Sequence, residues 1–107
     1  MSVLIKDVAK IDPIISTALS NQNISVIETG SSSPCLDLER ISHQVVENCK
    51  DVDFVVIEGM GRAIHTNYCA KFSVDSLKIG VFKNPQVAKE LGAEMYGGLV
   101  KFEQLIA

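Results

Sequence analysis

Between Asp53 and Arg62 the apolar, β-branched run Phe54-Val55-Val56-Ile57 stops abruptly at Glu58, and Gly59-Met60-Gly61 and then Arg62 follow. A short run of this kind, bounded by turn residues, reads as a buried strand. Glycines at its carboxyl end let the backbone turn sharply or let another group approach closely. Ligands of open α/β sheets bind beyond the carboxyl ends of strands, so Glu58 to Arg62 is the first place to look for chemistry. On pattern alone, a Gly-x-Gly after a strand is equally well a tight connection.

The rest of the chain alternates around this strand. Val3 to Lys10 reads as helix. Asp12 caps a second helix with Pro13 at its first position, running to about Ser20. Asn21 to Asn23 is a turn, Ile24 to Ile27 a strand, and Thr29 to Pro34 a loop. Asp37 is placed to cap a helix carrying Leu38, Ile41, Val45 and Cys49 on one side. After the Phe54–Ile57 strand come a short helix or mixed loop over Ala63–Phe72 and a third strand over Leu77–Phe82. A helix capped by Asn84, with Pro85 at its first position, ends near Gly92, and Gly97–Phe102 is a last strand or tail. Strands separated by helices predict an α/β fold of three α/β/α layers, Rossmann-like, with a mainly parallel sheet.

At 107 residues the chain is one domain at most, and 47% hydrophobic residues are enough for a core. A net charge of −3 without a basic stretch excludes nucleic acid as a natural partner. No apolar run approaches the ~18 residues of a membrane span, and Lys6, Asp7 and Lys10 interrupt any signal-peptide core. The three cysteines, Cys35, Cys49 and Cys69, are widely spaced. That fits reduced thiols in a cytoplasmic protein, expected as small buried apolar side chains.

Loops at the strand ends gather the candidate residues: Gly30, Ser31, Ser32 and Ser33; Glu58, Gly59, Met60, Gly61 and Arg62; and Lys83-Asn84. Serine hydroxyls and free backbone N–H groups suit an anion, although no Walker ending follows and a serine run is also a plain polar loop. His43 falls on an exposed helix face, and His65 has no visible partner. Lys78 is odd, because it lies inside the apolar strand Leu77–Phe82 and must snorkel or find a partner there. An anionic ligand is one such partner.

The stretch Glu58-Gly59-Met60-Gly61-Arg62-Ala63-Ile64-His65-Thr66-Asn67, followed by Asp75-Ser76-Leu77-Lys78-Ile79-Gly80, closely resembles the damage-control phosphatase domain. The nearest branch is the one fused to pantothenate-kinase-like proteins in eukaryotes. Thr29 to Leu38 matches it as well, as does the ending from Lys83-Asn84-Pro85 to Val100-Lys101-Phe102-Glu103. The resemblance implies a metal-dependent phosphatase that hydrolyses phosphate esters of small metabolites, such as 4′-phosphopantetheine and its oxidised forms. It also implies a divalent cofactor, Mg²⁺, Mn²⁺ or Co²⁺, in the complete domain. By the same resemblance Lys78 contacts the phosphate, Gly59, Met60 and Gly61 line the site, and Glu58, Arg62 and Asn67 lie nearby.

The chain departs from that pattern at the metal. It has no Asp-Asn dipeptide, where the family holds its ion with an Asp-Asn pair and a further aspartate. The expectation is therefore the carboxyl-terminal part of a phosphatase domain, with no metal of its own and no activity alone. Its partners would be a small phosphorylated metabolite and either a second copy or the missing amino-terminal part of the domain. The alternative is a non-catalytic α/β module used for binding or assembly.

Overall fold

In the computed structural model of the chain, residues 2–21 and 23–105 are described. Helix α1 spans Ser2–Ala9 and α2 spans Pro13–Ser20. Asp12 begins α2 as expected, its carboxylate accepting from the Ile14 N–H at 2.9 Å with Pro13 at the first position. The turn expected over Asn21–Asn23 includes Gln22, which lies outside the described residues.

Two expected elements are absent or shorter. Ile24–Ile27 forms no strand, because the sheet contains only the three strands described below and none pairs with this segment. The helix expected from Asp37 begins later, as α3, His43–Asn48. Asp37 instead holds a turn, accepting from the Glu39 N–H at 3.0 Å. Ser42 takes the capping position because its N–H donates to Thr29 O at 2.8 Å and its hydroxyl donates to Glu28 O at 2.9 Å. Those bonds pin the chain at residue 42 and leave the α3 N–H groups to the serine oxygen. Helix α4, Pro85–Glu90, starts where expected, with Asn84 Oδ1 accepting from the N–H groups of Gln86 and Val87 at 3.0 and 3.2 Å.

The sheet has the order β1-β2-β3, with β1 Phe54–Glu58, β2 Asp75–Val81 and β3 Gly98–Glu103. β1 and β2 are parallel, pairing Ile57 with Lys78 and Glu58 with Ile79. β2 and β3 are antiparallel, pairing Ser76 with Glu103 and Lys78 with Lys101. The sheet is thus mixed rather than mainly parallel, and the chain is a small, partial α/β unit consistent with an incomplete Rossmann-like fold. The reversal has a local cause. After the short α4, the Phe82 N–H donates to Gly97 O at 2.9 Å and the Tyr96 N–H to Phe82 O at 2.6 Å. The chain re-enters at the end of β2 it has just left, so β3 can only run backwards.

The two faces of this sheet differ. One carries Ile57, Ser76, Lys78 and Gly80 and is covered by a π-helical turn, Met60–Thr66, and the segment after it. Ile64, Phe82 and Ala88 form the core there, with Met60, Val87, Ala93 and Leu99 packed around them. The other face presents Phe54, Val56, Val100 and Phe102, exposed by 46%, 53%, 77% and 57%. The Phe54 and Phe102 rings stack on it at 6.3 Å. The surface of 8015 Å² exceeds the roughly 5,800 Å² expected for a compact monomer of 11.6 kDa. The radius of gyration, 15.7 Å, likewise exceeds the ~13 Å of a compact 100-residue domain.

No helix among the described residues is long and apolar enough to cross a membrane. The cysteines are free, and contrary to expectation none is buried: Cys49 and Cys69 are exposed and Cys35 is half-buried. They fall at a helix end and in loops, away from the one small core.

Candidate phosphate-binding rim

β1 ends at Glu58, whose side chain is exposed. Gly59 then takes φ +115°, ψ 149°, a backbone conformation essentially confined to glycine. Its N–H still pairs with Ile79 O at 2.9 Å, while its carbonyl accepts from the Ala63 N–H at 2.8 Å. One residue therefore closes the ladder and opens the π-helical turn. Gly61 is required for a different reason. A Cβ there would lie 2.7 Å from Pro34 O, so the Pro34–Leu36 loop approaches closer than any side chain permits.

Side chains lock that approach. Asn67, buried at the end of the turn, donates from Nδ2 to Leu36 O at 2.9 Å and to Arg62 O at 2.8 Å. Thr66 Oγ1 donates to Gly61 O at 2.8 Å and accepts from the Leu36 N–H at 3.5 Å. These bonds satisfy carbonyls that a regular α-helix would pair within itself, which is how a π-helical turn is held. The third loop joins through Met60, whose Sδ accepts from the Lys83 N–H at 3.2 Å. The second and third expected loops meet, while what docks on the turn from the first is the segment after it, Pro34 to Leu36, and not Gly30–Ser33.

The expected site residues divide accordingly. Glu58 ends β1, Gly59, Met60, Gly61 and Arg62 form the glycine turn and the start of the π-helical turn, and Asn67 closes it from inside. Arg62 is half-buried, and among the described residues its guanidinium has neither a hydrogen-bond nor an ion-pair partner. The backbone N–H groups of Met60, Gly61 and Arg62 likewise have no acceptor among the described residues. Gly30, Ser31 and Ser32 lie further out in the docked loop and are exposed. Ser31 Oγ accepts from the Ser33 N–H at 3.1 Å, and Gly30, at φ +84°, packs against Ser42.

Lys78 has a partner, and it belongs to the chain. Its side chain is 0% exposed, and Nζ donates to Ala70 O at 2.7 Å, Tyr68 O at 2.8 Å and Glu103 Oε1 at 2.9 Å. None of these bonds reaches the Gly30–Ser33 loop or the Gly59–Gly61 turn. Glu103 also receives Lys101, at 3.3 Å, and Lys71. Hydrogen bonds from Lys71 and then Lys78 hold its carboxyl down to about 2, against the opposing effect of desolvation. The same bond to Glu103 raises the Lys71 ammonium.

Sequence reading missed Thr66, Lys101 and Glu103. The available signal for Glu103 was an acid on the strand that pairs with β2, but using it requires the antiparallel register.

The fold and rim define a class: an α/β unit whose loops beyond a parallel strand pair converge on a glycine turn beside an arginine without a partner among the described residues. The family model for the damage-control phosphatase ARMT1-like domain matches residues 2–99, and the chain belongs to that family. It is 46% identical over 68 residues to pantothenate kinase 2 of Arabidopsis thaliana, covering 64% of this chain and 8% of the relative. It is 32% identical over 150 aligned positions to 4′-phosphopantetheine phosphatase of Mus musculus, covering 94% of this chain and 18% of the relative. With a damage-control phosphatase of A. thaliana it shares 38% over 87 residues, covering 81% of this chain and 24% of the relative. The chain thus spans less than a quarter of the length of these relatives.

The metal implied by the resemblance does not fit the groups present. Among the described residues no three His, Cys, Asp or Glu side chains are placed to hold an ion.

Proposed function

We propose that this chain is the phosphate-binding part of a phosphatase domain that acts on small phosphorylated metabolites. The observation that carries the reading is the docked rim: Pro34 against Gly61, Asn67 bridging Leu36 and Arg62, and an unpaired guanidinium beside free backbone N–H groups. An arginine fork and N–H groups together suit the oxygens of a phosphoryl group. The names of two relatives support the substrate class, and 4′-phosphopantetheine with its oxidised forms is the specific proposal.

The chemistry assigned to this chain's own residues is capture and orientation. Arg62 and the Met60–Arg62 N–H groups hold the phosphoryl oxygens, and Gly59 and Gly61 keep the backbone open to them. Asn67 keeps the docked loop in place, Ser31 and Ser32 face the outer side, and Glu58 borders the entrance. A direct contact from Lys78 rests on the family resemblance, since its ammonium is buried and fully bonded. The divalent ion that the family resemblance implies would supply Lewis-acid activation of the phosphoryl group, and no step is assigned to it on this chain.

The test is titration of the purified chain with inorganic phosphate and with 4′-phosphopantetheine, followed by calorimetry. Arg62→Ala should weaken binding roughly tenfold, as charge-assisted contacts imply, and Lys89→Ala on an exposed helix should not. Equal affinity in the parent and Arg62→Ala would remove the rim from the site. The bare sheet face supports the second reading, assembly, and a chain that binds no phosphate but associates with a partner would favour it.

A further inference from the structure

We propose that Glu103 is a positioning residue. From the last strand it fixes, through the ammonium groups of Lys78 and Lys101, the Asn67–Ala70 segment that holds the phosphate rim together. This rests on the rim reading above and assigns it a support at the opposite end of β2.

The geometry runs in one continuous chain of contacts. Glu103 Oε1 receives Lys78 at 2.9 Å and Lys101 at 3.3 Å, and Lys71 takes the other oxygen. Both Lys78 and Lys101 then donate to the same carbonyl, Tyr68 O, each at 2.8 Å, and Lys78 also donates to Ala70 O. The Lys101 ammonium lies 4.1 Å from the centre of the Tyr68 ring. The residue before Tyr68 is Asn67, whose amide bridges Leu36 O and Arg62 O. Its carbonyl accepts from the Ala70 N–H at 3.2 Å. Fixing two carbonyls of this segment therefore fixes Asn67, and with it the docked loop and the carboxyl end of the turn.

Glu103 is indispensable to this arrangement for an electrostatic reason. A buried ammonium without a counter-charge is strongly disfavoured. Glu103 is the carboxylate that Lys78 and Lys101 share among the described residues. Without its charge, both ammoniums have reason to turn toward water and leave Tyr68 O. The three protons of Lys78 are all engaged inside, so its influence on the rim passes through Tyr68 and Ala70.

The experiment uses the isotope-labelled 107-residue chain and its Glu103→Gln variant, which keeps the shape and removes the charge. Three quantities are read: the Tyr68 carbonyl ¹³C shift, amide exchange, and affinity for inorganic phosphate. In the variant the Tyr68 carbonyl should move upfield as its donors leave, and the Ala70 and Leu36 amides should exchange faster. Phosphate affinity should fall about tenfold, a loss of the size of a charge-assisted bond. The Gly59 amide, bonded to Ile79, should keep its protection. Faster exchange by the same factor at Gly59 would overturn the proposal, as would an unmoved Tyr68 carbonyl or unchanged phosphate affinity.

Should Glu103→Gln fail to fold, Lys101→Met, which leaves the Lys78–Glu103 pair intact, should give a smaller upfield shift at Tyr68. No shift there overturns the anchor. If the parent chain binds no phosphate, the rim reading fails, and the anchor stands or falls on the carbonyl shift and the exchange alone.

Discussion

The two faces of the three-stranded sheet are built the wrong way round for a free-standing domain. The covered face encloses a charged cluster, with Lys78 fully buried against Glu103 and two carbonyls. The open face carries Phe54, Val56, Val100 and Phe102 in water. Apolar area is what burial rewards, at about 25 cal/mol per Å², yet here much of the sheet's apolar surface is outside. The covered face is complete in itself, since no buried side-chain polar atom among the described residues lacks a partner. The open face is suited to contact with something further. One sheet thus separates a polar side whose buried groups are all partnered among the described residues from an open apolar side.

The strongest test of this contrast is Lys78→Ala. It strips one donor each from Tyr68 O, Ala70 O and Glu103 at once, and the loss of buried hydrogen bonds should cost about 3 kcal/mol. The midpoint of urea unfolding would show this, and an unchanged midpoint would mean that the covered face does not depend on the cluster. Next is Gly61→Ala, whose Cβ would meet Pro34 O at 2.7 Å. The loop must lift, at a cost of about 1–3 kcal/mol. Limited proteolysis should then cut the chain within residues 30–36 faster than in the parent, and equal cutting rates would deny the docking.

On the open face, the parent should self-associate with rising concentration. Val56→Lys with Val100→Lys should shift light scattering toward the monomer. Both sites are exposed, so the unfolding midpoint should change by no more than ~0.5 kcal/mol. A parent that stays monomeric at all concentrations would break the comparison at its apolar half. The smallest effect expected near neutrality is that of pH. The folded carboxyl of Glu103 lies at about 2, below its ordinary 4.5. Its contribution to stability is therefore complete above about 4.5 and is lost as pH falls toward 2. Unfolding midpoints should be flat from about pH 5 to 8 with respect to this group. Glu103→Gln should remove the part of the acid dependence that Lys71, Lys78 and Lys101 create.

Parts of the molecule were legible residue by residue. Asp12-Pro13 and Asn84-Pro85 start helices because a side-chain oxygen and a fixed φ act within one turn, with no help from distant residues. The Phe54–Ile57 run is a strand, and the Glu58–Arg62 turn follows it, as its glycines demand. Ile24–Ile27 carries the same β-branched signal and forms no strand, because a strand needs a neighbour for its backbone hydrogen bonds. Asp37 is as good a cap as Ser42 in isolation, and only the bonds of Ser42 to Thr29 and Glu28 decide between them.

What the amino-acid sequence alone determined was therefore local: the helix starts at Asp12-Pro13 and Asn84-Pro85, the Phe54–Ile57 strand, the glycine turn, the family, and the oddity of a lysine in an apolar strand. Tertiary structure decided the rest. It made β3 antiparallel, because the Phe82–Gly97 bonds return the chain to the end of β2 it had just left. That reversal set Glu103 beside Lys78, and so gave the buried ammonium its partner. No reading of spacing reaches that pairing, since the two residues meet through the register of strands and a charge in the interior is placed by whatever counter-charge the fold brings to it.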